Sequence, residues 1–325
     1  MASSSDLELQ KSCVDHFDSI RKNLHRHIVG MDSVIDALFW TLLCRGHALF
    51  VGVPGLAKTL LISSTSELVG LKFNRIQFTP DMMPSDLIGA EILEEDRQSG
   101  RRQFQFRKGP IFCQLLLADE INRTPPKTQS ALLQAMQEGQ VSFAGSTHKL
   151  PPPFVVFATQ NPIESEGTYP LPEAQLDRFL FSIPIRYPQL EEEIEIVKKT
   201  TSEERPPLMP VVGAEDLLAY QELVRRVPLE DSLIRMIVEI VNRSRPNEMM
   251  ASELKEVIRF GAGPRASQAI ALGAKSRALL DGRFAVREED IYKVAPHVLE
   301  HRLVLRKLRD LNPSKIVERI VQASV

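Results

Sequence analysis

Cysteine is scarce in this 325-residue chain: Cys13, Cys44 and Cys113 stand far apart, odd in number, with no CxxC pair and no partnered histidine. That excludes a disulfide framework, argues against a zinc site and makes a reducing cytoplasm the expected setting. Long apolar runs are also missing. Nowhere do about 18 apolar residues follow one another without a charge, and even the stretch from Val34 to Cys44 carries Asp36. Met1 to Cys13 holds no basic segment leading into an apolar one, so neither secretion nor a membrane span is expected. An excess of one charge is the third absence: 40 Lys and Arg against 42 Asp and Glu give a net charge of −2, and the pI is about 6.4. A basic coat for nucleic acid is therefore lacking, and no nucleic-acid partner is expected. What remains is ordinary globular usage, 43% apolar and 25% charged, in a chain long enough for two domains.

The first half alternates strand and helix signals. Asp6–His27 and Ser33–Cys44 have helical spacing. Five short apolar runs follow, His47–Val51, Arg75–Phe78, Gln114–Ala118, Phe154–Thr159 and Phe179–Ile185, each read as a strand buried on both faces. Helical stretches such as Thr59–Val69 and Thr128–Glu138 lie between most of them. Strand alternating with helix implies a parallel sheet flanked by helices, an α/β fold. From Pro188 no comparable strand run is evident. Glu191–Thr200, Ala214–Arg226, Asp231–Arg243, Pro264–Leu280 and Arg287–Lys293 read as helices separated by prolines. The expected division is an α/β nucleotide-binding core over 1–187 and a helical lid over 188–325, with no internal repeat.

Two segments carry chemistry. The first strand runs into Gly52, Val53, Pro54, Gly55, Leu56, Ala57, Lys58, Thr59 and Leu60, a phosphate loop in which the usual glycine before the lysine is Ala57. Gly52 and Gly55 let backbone amides approach phosphate oxygens, Lys58 suits the β and γ phosphates, Thr59 suits Mg²⁺, and a helix start adds its positive end. Alone, the segment could be a Gly/Pro-rich turn with a surface lysine. The second segment narrows the choice: Leu115, Leu116 and Leu117 lead through Ala118 to Asp119 and Glu120. A buried strand thus delivers two carboxylates to the edge where open α/β sheets bind ligands. Asp119 suits Mg²⁺, directly or through water, and Glu120 suits activation of the attacking water.

Gly52–Thr59, Leu115–Arg123, Ala158–Pro162, Leu171–Phe179 and Gly263–Ala266 together resemble the MoxR family of AAA+ ATPases, and Ala57 is the variant that family shows. The resemblance covers nearly the whole chain. It implies that Asn161 is sensor 1, that Arg178 is an arginine finger reaching a neighbouring subunit's nucleotide, and that Arg265 is sensor 2. It further implies ATP and Mg²⁺ as cofactors and a homo-oligomeric ring, a hexamer. The implied work is chaperone-like remodelling or maturation of protein clients, including metal or cofactor loading, with von Willebrand factor A domain proteins as the partner class. A chelatase-type motor subunit, a nucleic-acid motor and a non-hydrolysing nucleotide switch are the alternatives. Two hairpins are expected: Ala90–Phe106, turning at Ser99 and Gly100, which resembles an insert within the second helix of this clade, and Gln140–Leu150 before Asn161.

Overall fold

The computed structural model describes residues 3–95, 102–163, 167–201, 207–246, 252–306 and 313–322. Helices α1 (Ser4–His27) and α2 (Asp32–Leu43) come first. Ser3 and Asp6 cap α1 reciprocally, and Cys13, Phe17, Ile20 and Leu24 form its buried stripe. The α/β part follows in chain order as β1 (Ala48–Val51), α3 (Lys58–Leu68), β2 (Phe73–Gln77), α4 (Pro84–Ile88), β3 (Gly89–Glu95), β4 (Arg102–Lys108), β5 (Leu115–Asp119), α5 (Pro126–Glu138), β6 (Gln140–Phe143), β7 (Ser146–Lys149), β8 (Val155–Gln160), α6 (Glu173–Leu176) and β9 (Phe181–Pro184).

Five of these strands form one parallel sheet in the order β2-β5-β8-β1-β9. Its two faces bury different halves of each strand, as a side-chain period of two dictates. Phe50, Leu115, Leu117, Val155 and Phe157 join the core shared with α1, α2 and the C-terminal helices. Leu49, Leu116, Ala118, Val156 and Ala158 join a second core under α5.

The remaining elements are α7 (Leu190–Thr200), α8 (Ala214–Arg226), α9 (Asp231–Arg243), α10 (Ser252–Val257), β10 (Ile258–Phe260), α11 (Pro264–Leu280), α12 (Glu288–Leu299), β11 (Val304–Leu305) and α13 (Pro313–Gln322). The second half is helical, with α10, α13 and the antiparallel pair β10–β11 added to the expectation. Strands of two or three residues leave too short a pattern to be read. Helix α12 runs on past Lys293 through Pro296, which sits in its third turn and forfeits one backbone hydrogen bond.

Two other readings are corrected. β2 is an edge strand with mostly accessible side chains and begins at Phe73, so it is not buried on both faces. The first hairpin, β3–β4, follows directly on the five-residue α4, and β4 leads through a turn into β5 without resuming a helix. Its turn at Ser99 and Gly100 lies outside the described residues. The second hairpin, β6–β7, lies before β8 as expected. The two hairpins are joined through Phe106, which stacks on His148 with ring centroids 4.2 Å apart and lies 5.5 Å from the Phe143 ring. Among the described residues no helix is long and apolar enough to cross a membrane.

Candidate functional site

The phosphate loop leaves the middle of the sheet, since β1 lies between β8 and β9 and ends at Val51 beside Gln160 and Pro184. Gly52 donates its N–H to the Gln160 carbonyl at 3.2 Å. A Cβ on Gly52 would stand 2.8 Å from the Ile185 carbonyl oxygen, so its glycine is fixed by close packing. Gly55 is fixed differently: nothing crowds it, but its φ is +84°. Ala57, immediately before α3, is also left-handed with φ 51° and ψ 20°. An alanine there costs about 1–2 kcal/mol relative to the right-handed form, and the conformation turns the chain sharply into α3. Lys58 donates through Nζ to the carbonyls of Gly52 at 2.6 Å and Val53 at 3.1 Å. Burial lowers its pKa, opposed by the charges of Asp119 and Glu120, which face it. Thr59 lies in the first turn of α3, and Leu60 follows on the rim.

Asp119 ends β5 and Glu120 follows it, with β8 the one strand between them and β1. The Asp119 carboxylate is held from two sides. Its Oδ1 accepts from the Thr159 hydroxyl at 2.6 Å, and its Oδ2 accepts from Arg75 at 2.7 and 3.2 Å. Glu120 has a left-handed backbone, φ 55° and ψ 52°. Its Oε2 accepts from Gln77 Nε2 at 2.7 Å and Arg123 Nε at 3.0 Å. Arg75, Gln77, Arg123 and Thr159 were not singled out in the sequence. The signal for the first two was the alternation Arg75–Ile76–Gln77, in which only Ile76 is buried.

Asn161 follows β8 directly, buried, with Oδ1 accepting from the Ile163 N–H at 3.2 Å. Gly52–Leu60, Asp119, Glu120 and Asn161 therefore cluster at the carboxyl edge of the sheet. Arg178 and Arg265 do not join them. Phe181 pairs with Ala48 at the start of both strands, and Leu180 bonds His47, so Arg178 precedes the sheet's amino edge. Four residues of strand put about 13 Å between that edge and the phosphate loop. The ion pair between Asp177 and Arg178 that sequence adjacency suggests is absent. Asp177 instead accepts from Arg302 Nε at 2.8 Å and lies 3.4 Å from Arg265 Nη1. Buried Arg302 also donates to the carbonyls of Asp177 and Phe179 and thereby clamps the backbone around Arg178. Among the described residues no ion pair engages Arg178, so two arginines from distant segments stand together at the amino edge.

Beside the phosphate loop opens a cavity of about 720 Å³. Its walls come from the turn between α1 and α2 (Ile28, Val29), the end of β9 (Ile185, Tyr187), α7 (Ile196) and α12 (His297). Leu56, Ala57 and Leu60 line its phosphate-loop end. A chamber of this size, apolar along Ile28, Val29, Ile185 and Ile196 and charged at Arg186, Glu192, Lys199 and Glu300, has room for a flat heterocyclic base beside the phosphate loop. Burial lowers the pKa of His297, whose ring faces this chamber. Among the described residues no three His, Cys, Asp or Glu side chains could cage a metal ion. The donors near the loop, Thr59 and Asp119, suit Mg²⁺, which keeps most of its water and arrives with phosphates.

Comparison with known proteins agrees with the fold. Residues 47–181 match the profile of the ATPase family associated with various cellular activities (AAA), and residues 250–321 match the AAA lid domain. The chain is 45% identical to Chaperone MoxR1 of Mycobacterium tuberculosis, covering 91% of this chain and 78% of that one. It is 28% identical to Protein MoxR of Methylorubrum extorquens over 93% of this chain and 91% of that one. A solved structure of a candidate ATPase from Cytophaga hutchinsonii superposes with a TM-score of 0.89 at 37% identity, covering 97% and 96% of the two chains.

Proposed function

The chain belongs to the MoxR family of AAA+ ATPases, and from that premise we propose that it hydrolyses Mg²⁺-bound ATP in a ring of identical subunits to remodel protein clients. The base occupies the cavity beside the phosphate loop, and the phosphates lie along Gly52–Thr59 with Lys58 released from its two carbonyls to meet them. Thr59 and Asp119 would hold Mg²⁺, directly or through water, and the ion would offset charge on the phosphates. Glu120 orients the attacking water and Asn161 aligns the terminal phosphate.

The observation that carries the assembly is the separation of the two groups of residues. Arg178 and Arg265 sit at the edge opposite their own phosphate loop, which supports their service to a neighbour's nucleotide. A closed ring repeats that contact around every subunit, and we take the ring to be a hexamer. Residues 188–325 act as the helical lid. The joined hairpins β3–β4 and β6–β7 carry motion to the client, for which proteins with von Willebrand factor A domains, undergoing maturation or metal or cofactor loading, are the class we favour.

Two variants test the site. Lys58→Ala should abolish binding of a fluorescent ATP analogue. Glu120→Gln should bind it as tightly as wild type and turn it over about 10²- to 10⁴-fold more slowly. Equal loss of affinity in both would sink these roles.

A further inference from the structure

We infer that Thr159 is a positioning residue of the ATPase site, one whose hydroxyl fixes Asp119 and Glu120 relative to each other; the inference rests on the hydrolytic reading above. Thr159 is 1% exposed, lies on β8 and is turned towards the end of β5. Its hydroxyl accepts the Glu120 N–H at 2.8 Å and donates to Asp119 Oδ1 at 2.6 Å. The polarity of this chain has one solution. A backbone N–H can only donate, so the single hydroxyl hydrogen must go to the carboxylate. The resulting O–H···O⁻ bond is charge-assisted and short.

The register explains why a side chain is needed at this point. Pairing of β5 with β8 ends at Ala118 opposite Ala158, while on the other flank Phe78 still bonds the Asp119 carbonyl. Beyond Ala118 the chain turns into the left-handed conformation of Glu120, and β8 offers that N–H no backbone carbonyl. The Thr159 hydroxyl substitutes for the missing rung. One atom thereby anchors the backbone that aims Glu120 and one oxygen of the carboxylate beside it. Arg75 holds the other oxygen from the opposite side. Removing the hydroxyl leaves an N–H and a carboxylate oxygen unpaired at a partly buried site, while a β-branched replacement keeps the shape.

The test compares Thr159→Val and Thr159→Ser with wild type, measuring kcat, KM for ATP, affinity for a fluorescent ATP analogue and the Mg²⁺ dependence of turnover. The valine variant should lose about 10- to 100-fold in kcat, the size expected for one charge-assisted hydrogen bond. Its ATP affinity should stay within about threefold, its Mg²⁺ half-saturation should rise, and serine should return kcat to within about threefold of wild type. Turnover in Thr159→Val within twofold of wild type would overturn the inference. So would serine as impaired as valine, which would assign the effect to methyl packing. If Thr159→Val does not fold, Thr159→Ala carries the same expectation and the same refutation. Wild-type turnover and its loss in Glu120→Gln test the hydrolytic reading separately: their failure removes that reading, whereas failure of the Thr159 variants alone removes only this one.

Discussion

Replacing Asp290 with asparagine removes the fully buried acidic group in the first turn of α12 that ties this helix to the end of α11. The aspartate is fully buried, and its carboxylate accepts from Arg277, from Arg283 at 2.7 and 2.8 Å and from the Arg287 N–H at 2.8 Å. Asparagine keeps one acceptor but breaks the buried pair on one side, leaving Arg277 and Arg283 only the more exposed Asp281, at 3.3 and 2.9 Å, as a shared carboxylate partner. Such losses cost about 3–5 kcal/mol. At about 2–4 °C per kcal/mol for domains of 150–250 residues, the melting temperature should fall by roughly 6–20 °C, towards the low end in this longer chain. The acid dependence gives an independent check. Burial alone would raise the Asp290 pKa; the hydrogen bonds from Arg283, Arg287 and Arg277 outweigh it, and the net direction is down. A lowered folded pKa means that the stabilisation is present above the unfolded value of about 3.9 and is lost as pH falls through the folded value. The gap between wild type and Asp290→Asn in thermal melts should therefore hold from pH 8 to 5 and close below about pH 4. A gap under 2 °C at pH 7, or one that widens on acidification, would refute the reasoning. Because α11 begins with Arg265 and α12 carries His297 to the cavity wall, the variant should also weaken ATP binding.

Two further outcomes are expected. Gly52→Ala drives a methyl against the Ile185 carbonyl and should weaken nucleotide binding by the roughly 1–3 kcal/mol of an overpacked site. Gly55→Ala meets no atom and should fail through its positive φ alone, so Gly55→Asn should recover much of the affinity by calorimetry while Gly52→Asn should not. Replacing residues 94–102 with a short Gly/Ser turn should leave basal hydrolysis intact and remove client-stimulated turnover; loss of basal hydrolysis with remodelling retained would make the hairpin core packing.

The phosphate loop and the acidic end of β5 were legible because each is a short, contiguous string whose chemistry does not depend on what lies across the fold. The cavity was not legible: Ile28, Val29, Ile185 and Ile196 come from separate segments, and an apolar residue that lines a chamber looks like one that fills a core. Nor were the partners of the carboxylates, since Arg75 and Gln77 lie in a run read as a strand buried on both faces, and only the order β2-β5-β8 sets them beside Asp119 and Glu120. Arg178 and Arg265 were legible as residues but not as neighbours. Only the parallel register of β1 and β9, together with Asp177 and Arg302, puts both at the edge away from their own loop.

That separation is tested most directly by mixing two inactive proteins. Arg178→Ala subunits retain Glu120, and Glu120→Gln subunits retain Arg178, so each supplies what the other lacks only if the arginine acts across an interface. An arginine finger contributes about 10³- to 10⁵-fold in rate, so each variant alone should be nearly silent in phosphate release while still binding ATP. Rings assembled from equal amounts, with mixing verified by native mass spectrometry, should regain turnover at about a quarter of their interfaces, where an intact Glu120 meets an intact Arg178 across the contact. Mixed rings that stay as silent as either parent would contradict the account and assign Arg178 to its own subunit.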